Sequence, residues 1–112
     1  MIFITGAAGF IGSNFVHYLK SQGYDDIVVL DKLTYAASTD NLNPHTFPIE
    51  IVDIADKKPL QRIFQKYRPR FVFHFAAESH VDNSIEDATP FVETNVTGTL
   101  NLLELSVMYK VE

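Results

Sequence analysis

Glycines at positions 6, 9 and 12 constrain this chain more than any other feature. They follow a short apolar run, Met1-Ile2-Phe3-Ile4, and precede a helical pattern, which places a GxxGxxG spacing at a strand-to-helix junction. A parallel α/β sheet binds the pyrophosphate of a dinucleotide at such a junction. The first glycine allows a tight turn, the second lets the backbone approach the phosphates, and the third lets the helix pack closely. The unpaired N–H groups and partial positive charge of the helix N-terminus hold the anion without a lysine.

Strand and helix patterns alternate along the rest of the chain. Met1–Thr5 reads as a buried strand and Phe10–Gln22 as a helix, with Ile11, Phe15, Tyr18 and Leu19 on one face and Gly23 as its stop. Ile27–Leu30 is a second strand that ends at Asp31, residues 32–46 form a long loop, and Ile49–Val52 is a third strand. Asp56 caps the next helix, whose apolar positions are Leu60, Ile63, Phe64 and Tyr67, with Pro59 in its first turn. The segment Arg70–Ala76 holds a continuous apolar run suited to a strand covered on both faces. Thr89-Pro90 then opens a helix as N-cap and N1, running to about Tyr109 with Val96, Leu100, Leu103 and Val107 as its buried stripe. Right-handed crossovers predict a Rossmann-like, doubly wound parallel sheet in the order 3-2-1-4.

Asp31 ends the second strand about 20 residues beyond the glycines, where a carboxylate accepts hydrogen bonds from the adenosine ribose and repels a 2′-phosphate. NAD is therefore expected over NADP, and one neighbouring lysine, Lys32, does little to reverse that. Ala76-Ala77 supplies small residues at the end of the fourth strand. Glu78, His80 and Asp82 alternate in the loop that follows, without a metal-site signature. His74, inside an apolar strand, reads as a hydrogen-bonded core histidine, and His17 and His45 read as surface residues. Gly98 within a helix costs about 1 kcal/mol relative to alanine, which a close approach would explain.

Composition narrows the classes. A net charge of −5 and the lack of a basic run argue against nucleic acid. With no cysteine, thiolate catalysis, disulfides and Cys-based metal sites are excluded. The apolar N-terminus has no basic leader and no run reaches a membrane span, so a soluble, cytoplasmic protein is expected.

The glycine loop Thr5-Gly-x-x-Gly-Phe-Ile-Gly12 resembles that of the extended short-chain dehydrogenase/reductases. The stretches 31–36 (DKLTYA), 76–82 (AAESHVD) and 93–99 (ETNVTGT) resemble, within that family, the dTDP-glucose 4,6-dehydratases. The resemblance implies that Phe10 and Ile11 approach the pyrophosphate and that Asp31, Lys32, Leu33 and Thr34 hold the adenosine ribose. By the same resemblance Asp53 and Ile54 flank the adenine. Phe75, Ala76, Ala77 and Glu78 line the cofactor, and Thr94 contacts it from the last helix. Ser79, His80 and Asp82 then face the nucleotide sugar. Ala7, Ala37-Ser38 and Asn83 stand where the family usually has glycine, Gly-Asn and arginine.

The implied activity is a redox-neutral lyase reaction with tightly held NAD. No Thr-Asp-Glu segment and no Tyr-x-x-x-Lys occurs in the 112 residues. The expectation is therefore the N-terminal cofactor half of such an enzyme, truncated before a fifth strand, inactive alone and homodimeric, with the C-terminal substrate domain absent. The alternatives are a nucleotide-sugar epimerase or decarboxylase of the same family and a non-catalytic dinucleotide-binding module.

Overall fold

The computed structural model describes residues 1–33, 42, 47–76 and 88–112. Its elements are β1 (Ile2–Thr5), α1 (Phe10–Ser21), β2 (Ile27–Asp31), β3 (Ile49–Ile51), α2 (Lys57–Tyr67) and β4 (Phe71–His74). A last helical run follows: α3 (Thr89–Val92), a π-helical turn (Glu93–Gly98) and α4 (Thr99–Met108). Helical dihedrals at Val92 and Thr99 join the three pieces without a break. The strands form one four-stranded sheet in the order β3-β2-β1-β4. Every pairing is parallel, with Ile4 opposite both Val29 and Phe73. The expected topology is the observed one.

Period-2 alternation sends successive strand residues to opposite faces. Phe3, Val28 and Leu30 point to one face, where Leu60, Ile63 and Phe64 of α2 and Leu102 and Leu105 of α4 cover them. Ile4, Ile27 and Val29 point to the other, against Val16 and Leu19 of α1. Phe3 and Phe64 meet edge to face with ring centroids 5.0 Å apart. The four positions expected of α2 lie on its inner side as read, Tyr67 only partly buried. Asp56 occupies the N-cap of α2, but its side chain makes no capping hydrogen bond; only its carbonyl accepts, from Leu60 N–H. The last helix begins at Thr89, one residue earlier than expected, because the Ala88 carbonyl already accepts from Val92 N–H.

Three expectations about faces are corrected. In α1 the buried residues are Gly12, Ser13, Val16 and Leu19, while Ile11 and Tyr18 are exposed. The small side chains let the helix sit close to the preceding loop, and that rotates it. In the last helix Thr94, Gly98, Asn101, Leu102 and Leu105 are buried. The expected stripe of Val96, Leu100, Leu103 and Val107 faces outward. Finally, β4 is not covered on both faces. It is an edge strand among the described residues, and Phe71 and Phe73 remain 38% exposed. One aromatic, Phe15, packs against Phe73 and Phe75 from α1 at centroid distances of 4.8 and 5.2 Å.

Chemical denaturation distinguishes the two kinds of apolar position. Phe64→Ala empties a fully buried site and is expected to cost about 3–5 kcal/mol. Val107→Ser alters a residue 81% exposed and is expected to change the unfolding free energy by less than about 0.5 kcal/mol.

Candidate dinucleotide site

The carboxyl ends of all four parallel strands lie along one edge of the sheet, where open α/β sheets receive their ligands. Gly6 leaves β1 with φ +68°, and a Cβ there would lie 2.5 Å from Ala76 N and 2.6 Å from the Phe75 carbonyl carbon. Only glycine passes between β1 and the end of β4. At Gly12 a Cβ would lie 2.3 Å from the Gly6 carbonyl oxygen, so this glycine seats α1 on the loop itself. Gly9 differs. Among the described residues a Cβ there would meet only the Gly6 carbonyl oxygen, at 3.4 Å. Among the described residues nothing else comes within contact of that position.

Gly9 is also the N-cap of α1 and brings no capping side chain, and no acidic residue stands in the first turn. The N–H groups of Phe10, Ile11 and Gly12 precede the first intrahelical bond, made by Ser13 N–H to the Gly9 carbonyl at 3.0 Å. The side chains of Phe10 and Ile11, 80% and 67% exposed, border this opening. Uncapped donors, a missing Cβ and a helix dipole make a cradle that fits a pyrophosphate.

Asp31 is 7% exposed. Its Oδ2 accepts from Ala8 N–H at 2.9 Å and its Oδ1 from Leu33 N–H at 2.7 Å. The carboxylate thus ties the glycine loop to the end of β2. Each oxygen keeps a further lone pair, so two vicinal ribose hydroxyls fit without displacing these bonds. Sequence reasoning assigned Asp31 to the ribose and missed this tie to the glycine loop. Lys32 leans to Asp53, with Nζ 3.6 Å from Oδ2. Asp53 Oδ1 accepts from Ala55 N–H at 3.0 Å, which closes a turn around Ile54.

The far side of the edge is held by a polar relay that the sequence did not announce. Thr5 Oγ1 accepts from Ala76 N–H at 3.2 Å and lies 2.7 Å from His74 Nδ1, while His74 Nε2 lies 2.9 Å from Thr99 Oγ1. Thr5 O–H donating to Nδ1 and Nε2–H donating to Thr99 satisfies every group. His74 is hydrogen-bonded as expected, but it is an exposed residue of the edge strand and not a core histidine, because β4 has no described strand on its outer side. Thr94 is buried in the π-helical turn, and Phe75 and Ala76 border Gly6. Six expected positions, Thr34, Ala77, Glu78, Ser79, His80 and Asp82, lie outside the described residues. Among the described residues no group of three His, Asp or Glu side chains is placed to hold a metal, and no helix is long and apolar enough to cross a membrane.

An open parallel sheet with its Gly-rich turn at the crossover and a carboxylate on the neighbouring strand end defines a Rossmann-type domain. The chain belongs to the GDP-mannose 4,6 dehydratase family, whose model matches residues 3–112. A dTDP-glucose 4,6-dehydratase of Neisseria meningitidis is 48% identical over 113 residues, covering 96% of this chain and 32% of its own length. Among solved structures, the Thermus thermophilus UDP-glucose 4-epimerase in complex with NAD superposes with a TM-score of 0.91 at 40% identity, over 99% of this chain and 35% of that one. The Streptomyces venezuelae dTDP-glucose 4,6-dehydratase DesIV, solved with NAD bound, gives 0.86 at 43% identity, over 98% and 36%. The chain therefore spans about a third of the length of the relatives it matches.

Partial burial holds the His74 imidazole below its ordinary pKa. The folded protein binds that proton less readily than the unfolded chain. The stability that neutral His74 contributes is therefore present above about pH 6.5 and is lost as pH falls through the folded value. Melting temperatures of the unaltered chain and of His74→Gln are expected to converge as pH is lowered from neutrality into this window; a constant gap would refute the assignment.

Proposed function

We propose that this chain is the NAD-binding N-terminal part of a nucleotide-sugar 4,6-dehydratase of the dTDP-glucose type. The observation that carries the reading is the pairing of an uncapped α1 N-terminus with a buried carboxylate, Asp31, that retains acceptor capacity at the end of β2. In this reading the N–H groups of Phe10 and Ile11 bind the pyrophosphate. Asp31, with Lys32, Leu33 and Thr34, holds the adenosine ribose. Asp53 and Ile54 flank the adenine, and Phe75, Ala76, Ala77, Glu78 and Thr94 line the remainder. Ser79, His80 and Asp82 are assigned to the nucleotide sugar.

NAD supplies a reversible hydride acceptor. The proposed overall reaction oxidises the hexose at C4, eliminates water across C5 and C6 and returns the hydride to C6. None of the acid, base or Tyr/Lys groups for those steps is assigned to residues of this chain, so its own contribution is to bind and orient. The higher TM-score of the Thermus epimerase favours a second reading, a nucleotide-sugar epimerase with the same cofactor half. The 48% identity to a dehydratase supports the first. Sequencing the source gene beyond codon 112 tests both: a frame continuing into Thr-Asp-Glu and then Tyr-x-x-x-Lys supports the dehydratase, Tyr-x-x-x-Lys without Thr-Asp-Glu supports the epimerase, and a stop codon leaves a dinucleotide-binding module.

Calorimetric titration tests cofactor choice directly. NAD is expected to bind at least about tenfold more tightly than NADP, a difference of roughly 1.4 kcal/mol, because a 2′-phosphate would face the Asp31 carboxylate. Asp31→Asn is expected to weaken NAD and to reduce this preference. Absence of NAD binding by the unaltered chain would overturn the reading.

A homodimer is proposed through the outer face of the last helix. Val92, Val96, Leu100, Leu103 and Val107 recur there at helical spacing, and all five are exposed. Contiguous apolar surface of this kind marks an interface, and an identical helix related by a two-fold axis is its self-complementary occupant. Light scattering after size exclusion is expected to report a dimer, and Leu103→Glu a monomer of unchanged melting temperature. A monodisperse monomer for the unaltered chain would refute it.

A further inference from the structure

We propose that Asn101 is a positioning residue for the base end of the bound dinucleotide and acts through Ile54, an inference that rests on the NAD reading above. With the pyrophosphate at the α1 N-terminus and the ribose at the end of β2, the base extends over the next strand outward, which is β3 in the order β3-β2-β1-β4. The residues that follow β3 there are Val52, Asp53 and Ile54. Val52 is the last of them tied to the sheet, through its N–H to the Asp31 carbonyl at 3.0 Å. Beyond it the chain turns, with Ala55 and Asp56 N–H both donating to Asp53.

The last helix fixes that turn. Asn101 Nδ2 donates to the Ile54 carbonyl at 2.9 Å, a buried bond between residues 47 positions apart. One turn earlier, Gly98 brings the helix so close that a Cβ would lie 2.5 Å from Ile54 Cγ1 and 2.6 Å from Cδ1. A primary amide is costly to bury and returns little net stability when bonded. A residue serving packing alone at this position would be apolar, like its buried neighbours Leu102 and Leu105. The amide instead sets the height and direction of the Ile54 peptide, and with it the Asp53 carboxylate one residue before. A carboxylate at the base end accepts from the exocyclic amine of adenine and opposes a carbonyl at the same position.

The test compares NAD with nicotinamide hypoxanthine dinucleotide, in which an oxo group replaces that amine and N1 carries a proton. Both are titrated calorimetrically into the full chain. The unaltered chain is expected to prefer NAD. Asn101→Asp keeps the shape but sets an acceptor against the Ile54 carbonyl, and is expected to narrow the preference about threefold or more. A purely structural role would weaken both dinucleotides equally and leave their ratio unchanged. Gly98→Ala supplies the second variant. Alanine is the better helix former, so the helix is retained while its methyl group displaces Ile54; the same narrowing is expected, with a lowered melting temperature from the crowding. An unchanged ratio in both variants, or equal affinity of the unaltered chain for the two dinucleotides, overturns the inference while the NAD reading stands. Failure of the unaltered chain to bind either dinucleotide overturns both.

Discussion

The contact between Gly12 and the carbonyl of Gly6 is the constraint from which the rest of the site follows. A methyl group at Gly12 would sit 2.3 Å from that oxygen, so α1 lies directly on the turn that feeds it. The close seat rotates α1 until Val16 and Leu19 meet the sheet, and leaves Phe10 and Ile11 outside. It also sets the N-terminal N–H groups of the helix beside Gly9, which brings no capping side chain. Asp31 then locks the turn from the neighbouring strand by accepting from Ala8. Helix orientation, donor placement and the carboxylate's position are thus one arrangement, because the backbone leaves no room for alternatives.

The second organising element is the last helix. Through Thr99 it reaches His74, and through His74 it reaches Thr5 at the root of the glycine loop. Through Asn101 and Gly98 it grips Ile54 on the opposite side of the sheet edge. One rod therefore braces both flanks of the ligand crevice with short polar and small side chains. The π-helical turn at Glu93–Gly98 precedes these contacts and buries Thr94. Inserted residues of this kind are common at functional sites because they re-aim side chains without ending the helix.

Element order, strand order and the positions of the glycines and Asp31 were legible because each depends on a local signal with a stated geometry. Gly6 must take a positive φ, parallel strands must be linked by right-handed crossovers, and an acidic strand end lies where the ribose goes. Helix faces were less legible. Periodicity identified Leu60, Ile63 and Phe64 in α2, where nothing competes with hydrophobicity. In α1 it was right for Phe15 and Leu19 and wrong for Ile11 and Tyr18, and it failed in the last helix; in both, close approach selects Gly12, Ser13, Gly98 and Asn101 for the inner side. The relay of Thr5, His74 and Thr99 joins residues far apart in sequence, and no spacing rule connects them. The small residues of the inner faces were the available signal: glycine in a helix interior costs stability unless something is packed against it.

The last helix shows why an apolar stripe and a buried stripe need not coincide. Burial inside this domain requires a side chain that fits the gap to Ile54, and the gap admits no more than Gly98 and the planar amide of Asn101. Hydrophobicity on the outer face answers a different demand. Val92, Val96, Leu100, Leu103 and Val107 expose apolar surface at a cost the isolated domain gains nothing from. Toward its own sheet the helix sets Gly98 and Asn101 beside Leu102 and Leu105, and away from it a second apolar stripe stays exposed. That exposed stripe is the surface the proposed dimer would cover, and it lies on the same helix that holds Ile54 through Asn101 and Gly98.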